Sequence, residues 1–409
     1  MMIDFLIEYK DLFLYLSIPL TSAFVGWGTN VLAIKMTFYP LEFKGIPPFL
    51  GWQGIIPSKA VKMSTTSVDL WTSKLVSVKE LFEQIDPKAV AKEMRPEFDR
   101  ISKEIMDEIM AIQAPDAWDK IPASLKKIIY MRISKDMPQI VTEIMTDVKN
   151  NIENIFDIKE MVIKRLTQDK ELLNNMFLKC GKEEFKFIER SGLYFGFIFG
   201  LIQMIIWYFF PYFWILPLFG LLVGYATNWL ALKLIFEPVK PIKFLGMKFQ
   251  GLFIKRQNEV SKEYAFMLAH DIFTFDRIFT AIINGPTKEK FVNLVASHAN
   301  KAIDDAVGIS EPVIKLVTGK RKYEKMKNIV IDKTVQEIPK SVQPVFPYAE
   351  EAMDLETTFR IRMQALSSAD FVNFLRPVFQ EDELKLILVG AVLGMLAGIG
   401  QLVFVFGGL

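Results

Sequence analysis

The sequence predicts an all-α integral membrane protein with four transmembrane helices in two parallel repeats, each repeat carrying a large helical extramembrane region. Three observations predict it: long blocks almost free of charge, a self-match at one fixed offset, and a helical apolar period through the charged stretches between the blocks. With 51% hydrophobic and 23% charged residues and a mean hydropathy of +0.25, the apolar residues must be gathered rather than dispersed.

Leu12 to Ile34 contains no charged side chain, Leu193 to Phe236 contains only Lys233, and Leu386 to Leu409 contains none. About 20 apolar residues in a helix cross a ~30 Å hydrocarbon core. The first and last blocks supply one span each. The middle block is twice as long and is interrupted by Pro211 and Pro217, so it reads as two spans joined by a short aromatic turn at Phe210–Pro217. The acidic N-terminal residues and the lack of a small-residue cleavage site argue against a cleavable signal peptide.

At an offset of 198 residues, Pro19–Pro40 aligns with Pro217–Pro238, with identities that include Gly26/Gly224, Thr29/Thr227, Asn30/Asn228, Ala33/Ala231 and Lys35/Lys233. The ends of the halves match at the same offset: Gly192, Gly196, Gly200 and Gln203 fall on Gly390, Gly394, Gly398 and Gln401. Such self-similarity reads as a tandem duplication. The first repeat is 1–210, with a span at 12–36, a polar region at 37–190 and a span at 191–210. The second is 211–409, with spans at 215–236 and 386–409 around a polar region at 237–385. Two spans per half return the chain to its starting side, so both polar regions share one side of the membrane. Lys35, Lys44, Lys59, Lys62, Lys233, Lys240, Lys243 and Lys248 flank the spans there, and the opposite side offers Lys10. The positive-inside rule makes these regions cytoplasmic, and the expected location is a bacterial plasma (inner) membrane.

The polar regions read as helices: Ile101, Ile105, Met106, Ile109 and Met110, and Ile140, Ile144, Val148, Ile152 and Ile155, repeat at three- and four-residue spacing. Pro96, Pro115, Pro122, Pro138, Pro286 and Pro312 are expected to punctuate them. Tyr39–Lys59 and Glu237–Arg256, rich in Pro, Gly and aromatics, read as ordered loops with a short hairpin.

Two motifs lie in the spans. The first, Gly-x-x-Thr-Asn-x-x-Ala-x-Lys, makes Thr29, Asn30, Lys35, Thr227, Asn228 and Lys233 candidate binding residues for an ion or a headgroup, with glycine letting the backbone open. The plainer reading of the asparagines is interhelical hydrogen bonding, through one bond shared between equivalent helices, and of the lysines snorkelling to the interface. In the second, Gly192, Gly196 and Gly200, and Gly390, Gly394 and Gly398, form stripes that let another backbone approach. Gln203 and Gln401 are each expected to add an interhelical bond. In the polar regions Met106, Met110, Met131, Met137, Met145 and Met161 fit either an ordinary helical core or an apolar channel for acyl chains.

One cysteine, Cys180, and two histidines, His270 and His298, leave little for a disulfide framework, a metal site or a nucleophile–base pair, and no cofactor motif occurs. A net charge of +2 gives no basic field for nucleic acid. An enzyme is not expected.

The run from Gly26 through Thr29, Asn30, Ala33, Lys35 and Phe38 to Pro40, followed by Gln53-Gly54 and by the closing Gly196, Gly200 and Gln203, resembles the bacterial membrane-protein family called domain of unknown function 445 (YheB-like), here in both halves. The resemblance implies an integral bacterial membrane protein and supplies no reaction. The expected function is that of a scaffold, tether or lipid-handling element with paired helical cytoplasmic arms. The alternative is a small-solute or ion transporter with a path between the repeats near Asn30 and Asn228. Membrane lipids are the expected partners, with protein partners or a homo-oligomer as further options.

Overall fold

The computed structural model describes residues 10–46, 50–113, 115–244, 247–307, 320–376 and 383–407. Pro312 and residues 408–409 of the expected fourth span lie outside them. The described chain is mainly helical, with two short hairpins of three-residue strands, and it divides into two compact units. One comprises Met1–Leu70, Ile163–Met267 and Arg360–Leu409; the other comprises Trp71–Val162 and Leu268–Phe359.

The first unit contains four helices long and apolar enough to cross a membrane: α1 (Lys10–Phe38), α2 (Lys182–Phe209), α3 (Ile215–Phe236) and α4 (Glu383–Phe404). Helix α2 begins at Lys182, ahead of the span expected at 191–210, and its first turns bury Glu184. Pro217 is not in the turn but in the first turn of α3, where the N–H it lacks would have no intrahelical acceptor.

α1 packs against α2 and α3 against α4. Both pairs are antiparallel, since Gly26 meets Gly192 while Ser22 meets Gly196, and Gly224 meets Gly390 while Gly220 meets Gly394. The burial pattern is the reverse of a water-soluble bundle. Ser22, Thr29, Asn30, Gln203, Thr227, Asn228 and Gln401 are buried, whereas Leu20, Phe24, Trp27, Phe197, Ile202, Leu222, Trp229, Val392 and Leu396 are exposed. Hydrocarbon is a better solvent for the second set than for the first, so this unit matches a bilayer surround. At the α2–α3 turn Ile18, Trp207, Ile215 and Leu216 close the bundle. Tyr212 stacks on Trp214 with ring centroids 6.2 Å apart, in an exposed aromatic group suited to a membrane interface.

Each of α1 and α3 is followed by a cis X-Pro bond, at Tyr39–Pro40 and Glu237–Pro238, and then by a hairpin. The first pairs β1 (Lys44–Ile46) with β2 (Leu50–Trp52), and the second pairs β3 (Ile242–Phe244) with β4 (Met247–Phe249).

In the second unit, helix Arg95–Gln113 packs on Ala123–Ile155 and Lys320–Ser341, and Lys288–Val307 packs on the same two, closing a four-helix ring. The long apolar period holds: Val148, Ile152 and Ile155 are buried. Pro138 was expected to end a helix but lies inside Ala123–Ile155, where the ring packing outweighs one missing backbone bond. Shorter helices are set by local signals, such as the capping box of Ser77 and Glu80 on Val78–Glu83 and the Asp86 cap on Pro87–Glu93.

Candidate functional site

The six binding candidates in the spans are not gathered in one pocket. Thr29 Oγ1 donates to the Gly26 carbonyl (3.1 Å) and Thr227 Oγ1 to the Val223 carbonyl (2.8 Å), each within its own helix. Asn30 Nδ2 donates across to the Ile188 carbonyl of α2 (2.6 Å), and Asn228 Nδ2 to the Leu386 carbonyl of α4 (2.9 Å). The expectation of one shared bond is therefore corrected: there are two separate bonds, because each asparagine faces the backbone of its own antiparallel partner helix. Both Oδ1 atoms are buried without a hydrogen-bond partner among the described residues. Lys35 is exposed at the end of α1. Lys233 lies 4.8 Å from the centre of the Trp229 ring and 3.9 Å from Glu237. Asn228 borders a cavity of about 40 Å³ between helix ends.

Nor do the glycines open the backbone, which stays helical through Gly26 and Gly224. They allow contact instead. A Cβ on Gly192 would collide with the Gly26 carbonyl oxygen, one on Gly394 with the Gly220 carbonyl oxygen, and one on Gly390 with the Asn228 amide. Gly196 and Gly200 sit as tightly against Ser22 and Pro19, and Gly398 against Leu216. Ser22 Oγ donates to Gln203 Oε1 at 2.9 Å. Gln401 does not repeat this bond, since Gly220 stands where Ser22 stands in the other pair, and its Nε2 is buried without a partner among the described residues. With two independent Asn bonds, Asn30→Ala and Asn228→Ala are each expected to destabilise by about 1 kcal/mol, and the double variant by their sum. Thermal unfolding in detergent checks this; a double-variant loss well below the sum would restore the shared bond.

Next to this bundle, Glu184 on α2 is buried and receives both its hydrogen bonds from Arg256 Nη1 at 2.8 Å. Cys180 is buried beside them, and burial raises its thiol pKa, which disfavours the reactive thiolate.

The second unit holds an apolar feature of its own. A cavity of about 140 Å³ lies at the centre of the four-helix ring, with Phe98 and Ile101, Met137, Ile144 and Val148, Phe291 and Val295, and Ile338 contributed by its four helices. Phe279 and Ile282 close one side. Of the six methionines singled out from the sequence, Met137 and Met145 line it; Met131 is exposed, and Met106, Met110 and Met161 are half-buried elsewhere. The polar lining is confined to Thr334, Glu337 and Ser341 on one helix. Arg100 Nη1 donates to Glu337 (2.8 Å) and Nη2 to Ser341 (3.2 Å), while Nε holds Glu97 at 2.7 Å. The Arg100 hydrogen bond keeps the Glu337 carboxyl below the ordinary carboxylate range, so the pair is ionic at the cavity edge. Arg100 and Glu337 are 237 residues apart, and no local pattern marks them as partners. Among the described residues no cluster of three His, Cys, Asp or Glu side chains is placed to hold a metal.

Fold and burial thus define a helical membrane protein with a polar-lined, glycine-packed base and a separate unit with a hollow apolar centre. A UPF0754 membrane protein of Bacillus pumilus (strain SAFR-032) is 30% identical over 88 residues, which is 21% of this chain and 23% of that protein. The match thus spans under a quarter of that relative's length. No family model and no solved structure matches the chain.

Proposed function

We propose that the chain is a non-enzymatic membrane protein that handles lipid, anchored by its four spans and taking the hydrocarbon chain of an amphiphile into the cavity of the second unit. The carrying observation is the cavity itself: about 140 Å³, lined by Phe, Met, Ile and Val, with its polar groups all on one helix. Apolar cavities of this size stay dry and admit small apolar molecules, so a segment of an alkyl chain fits and a whole lipid does not. Methionines at 137 and 145 adapt to a flexible chain.

The same reading takes 1–210 and 211–409 as tandem repeats of the family called domain of unknown function 445. It is supported by the two Asn bonds, each reaching 158 residues along the chain. The flanking lysines support cytoplasmic polar regions in a bacterial inner membrane. The transport alternative near Asn30 and Asn228 has less support, because both amides are engaged helix to helix within glycine contacts.

The test is saturable binding of a dansyl-labelled dodecyl chain to the full chain in detergent. Val148→Phe fills the cavity and is expected to weaken binding about tenfold while leaving a cooperative thermal transition. Unchanged affinity in that folded variant would overturn the assignment.

A further inference from the structure

We propose that the groove between the end of α1 and the β1–β2 hairpin binds the headgroup of an anionic phospholipid from the surrounding membrane. The groove is open, about 800 Å³, and its walls include Leu32, Lys35, Met36, Tyr39, Lys44 and Trp52. It is a built feature. Trp52 Nε1 donates to the Met36 carbonyl at 3.1 Å and Gln53 Nε2 to the Leu41 carbonyl at 2.7 Å, fixing the hairpin on the helix end.

Charge identifies the occupant. The exposed side chains of Lys35 and Lys44 border this mainly apolar groove, and among the described residues neither makes an ion pair. The one carboxylate there, Glu42, is held by Lys170 at 2.9 Å. The last carbonyls of α1 would repel an anion, but they are covered: Asn174 Nδ2 donates to the Phe38 carbonyl at 2.5 Å, the Tyr39 N–H to that of Lys35 at 2.8 Å, and Trp52 to that of Met36.

Position identifies its source. Leu20, Phe24 and Trp27 form an exposed stripe at helical spacing that runs on through Val31 to Lys35. This stripe is where acyl chains lie against α1, so a phosphate attached to them arrives at Lys35. On the hairpin, Ile46 is 69% and Leu50 75% exposed, apolar surface placed where the interface continues. A free phosphate would have no use for either apolar surface.

The second hairpin supplies an internal contrast. Glu237 stands where Tyr39 stands, 3.9 Å from Lys233 and 3.5 Å from Arg376. There Lys233 already faces a carboxylate, whereas Lys35 in the first groove does not.

The experiment measures thermal unfolding of the full chain in a neutral detergent with dihexanoyl phosphatidylglycerol, dihexanoyl phosphatidylcholine or inorganic phosphate. Phosphatidylglycerol is expected to raise Tm more than phosphatidylcholine. In the Lys35→Gln/Lys44→Gln variant, both of whose side chains are exposed, its affinity should fall about tenfold with the ligand-free Tm unchanged. Tyr39→Glu should erase the same increment, and Lys233→Gln should retain it. Equal stabilisation by the two lipids, or a full phosphatidylglycerol increment in the double variant, would overturn the proposal. Inorganic phosphate reproducing the whole shift would overturn the lipid assignment. The groove and the alkyl-chain cavity lie in different units, so either can fail alone.

Discussion

Gly394→Leu is expected to lower the stability of the membrane base by about 3 kcal/mol, the upper end for overpacking, because the added atoms meet backbone rather than a side chain that can move. The Gly394 Cβ position is occupied by the Gly220 carbonyl, and α3 cannot yield without losing the contact at Leu216 on one side and those at Gly224 and Asn228 on the other. Gly196→Leu should behave alike against Ser22. Gly400→Leu is the matched control on α4, since nothing lies within 4 Å of a Cβ there. Thermal unfolding in detergent reads all three, and equal tolerance would place the stripes against lipid instead of against helices.

Arg256→Ala should be as damaging by another route. Glu184 is buried to 3% exposure and its carboxylate is answered by Arg256. Removing one partner of a buried pair costs about 3–5 kcal/mol, because the remaining charge stays desolvated and uncompensated. Adding Glu184→Gln should recover much of the loss, as the amide carries no charge to strand. An Arg256→Ala variant as stable as the wild type would mean that the Glu184 site admits water.

The spans were legible because charge exclusion from hydrocarbon is a local property of the chain: α3 ends where its apolar block does, at Phe236. The burial of Glu184 at the start of α2 was not, since its charge belongs to a polar region until Arg256, 72 residues on, is folded against it. Glycine spacing announced close helix approach but could not say that Gly220, a residue with no hydroxyl, holds the position equivalent to Ser22, so that Gln401 lacks the bond that Gln203 takes from Ser22. The cavity was half legible. Met137 and Met145 stood out by residue type, whereas Phe98, Phe279 and Phe291 read as ordinary core until four helices from distant parts of the chain form a ring.

The account assigns ligand binding to the second unit and mechanical roles to the asparagines of the first. Alkyl-chain affinity of Val148→Phe and of Asn30→Ala/Asn228→Ala, measured side by side on the full chain, tests that division most directly. The account predicts affinity lost in Val148→Phe and intact in the asparagine double variant, which should only unfold at lower temperature. Binding that survives Val148→Phe and vanishes with the two asparagines would contradict it.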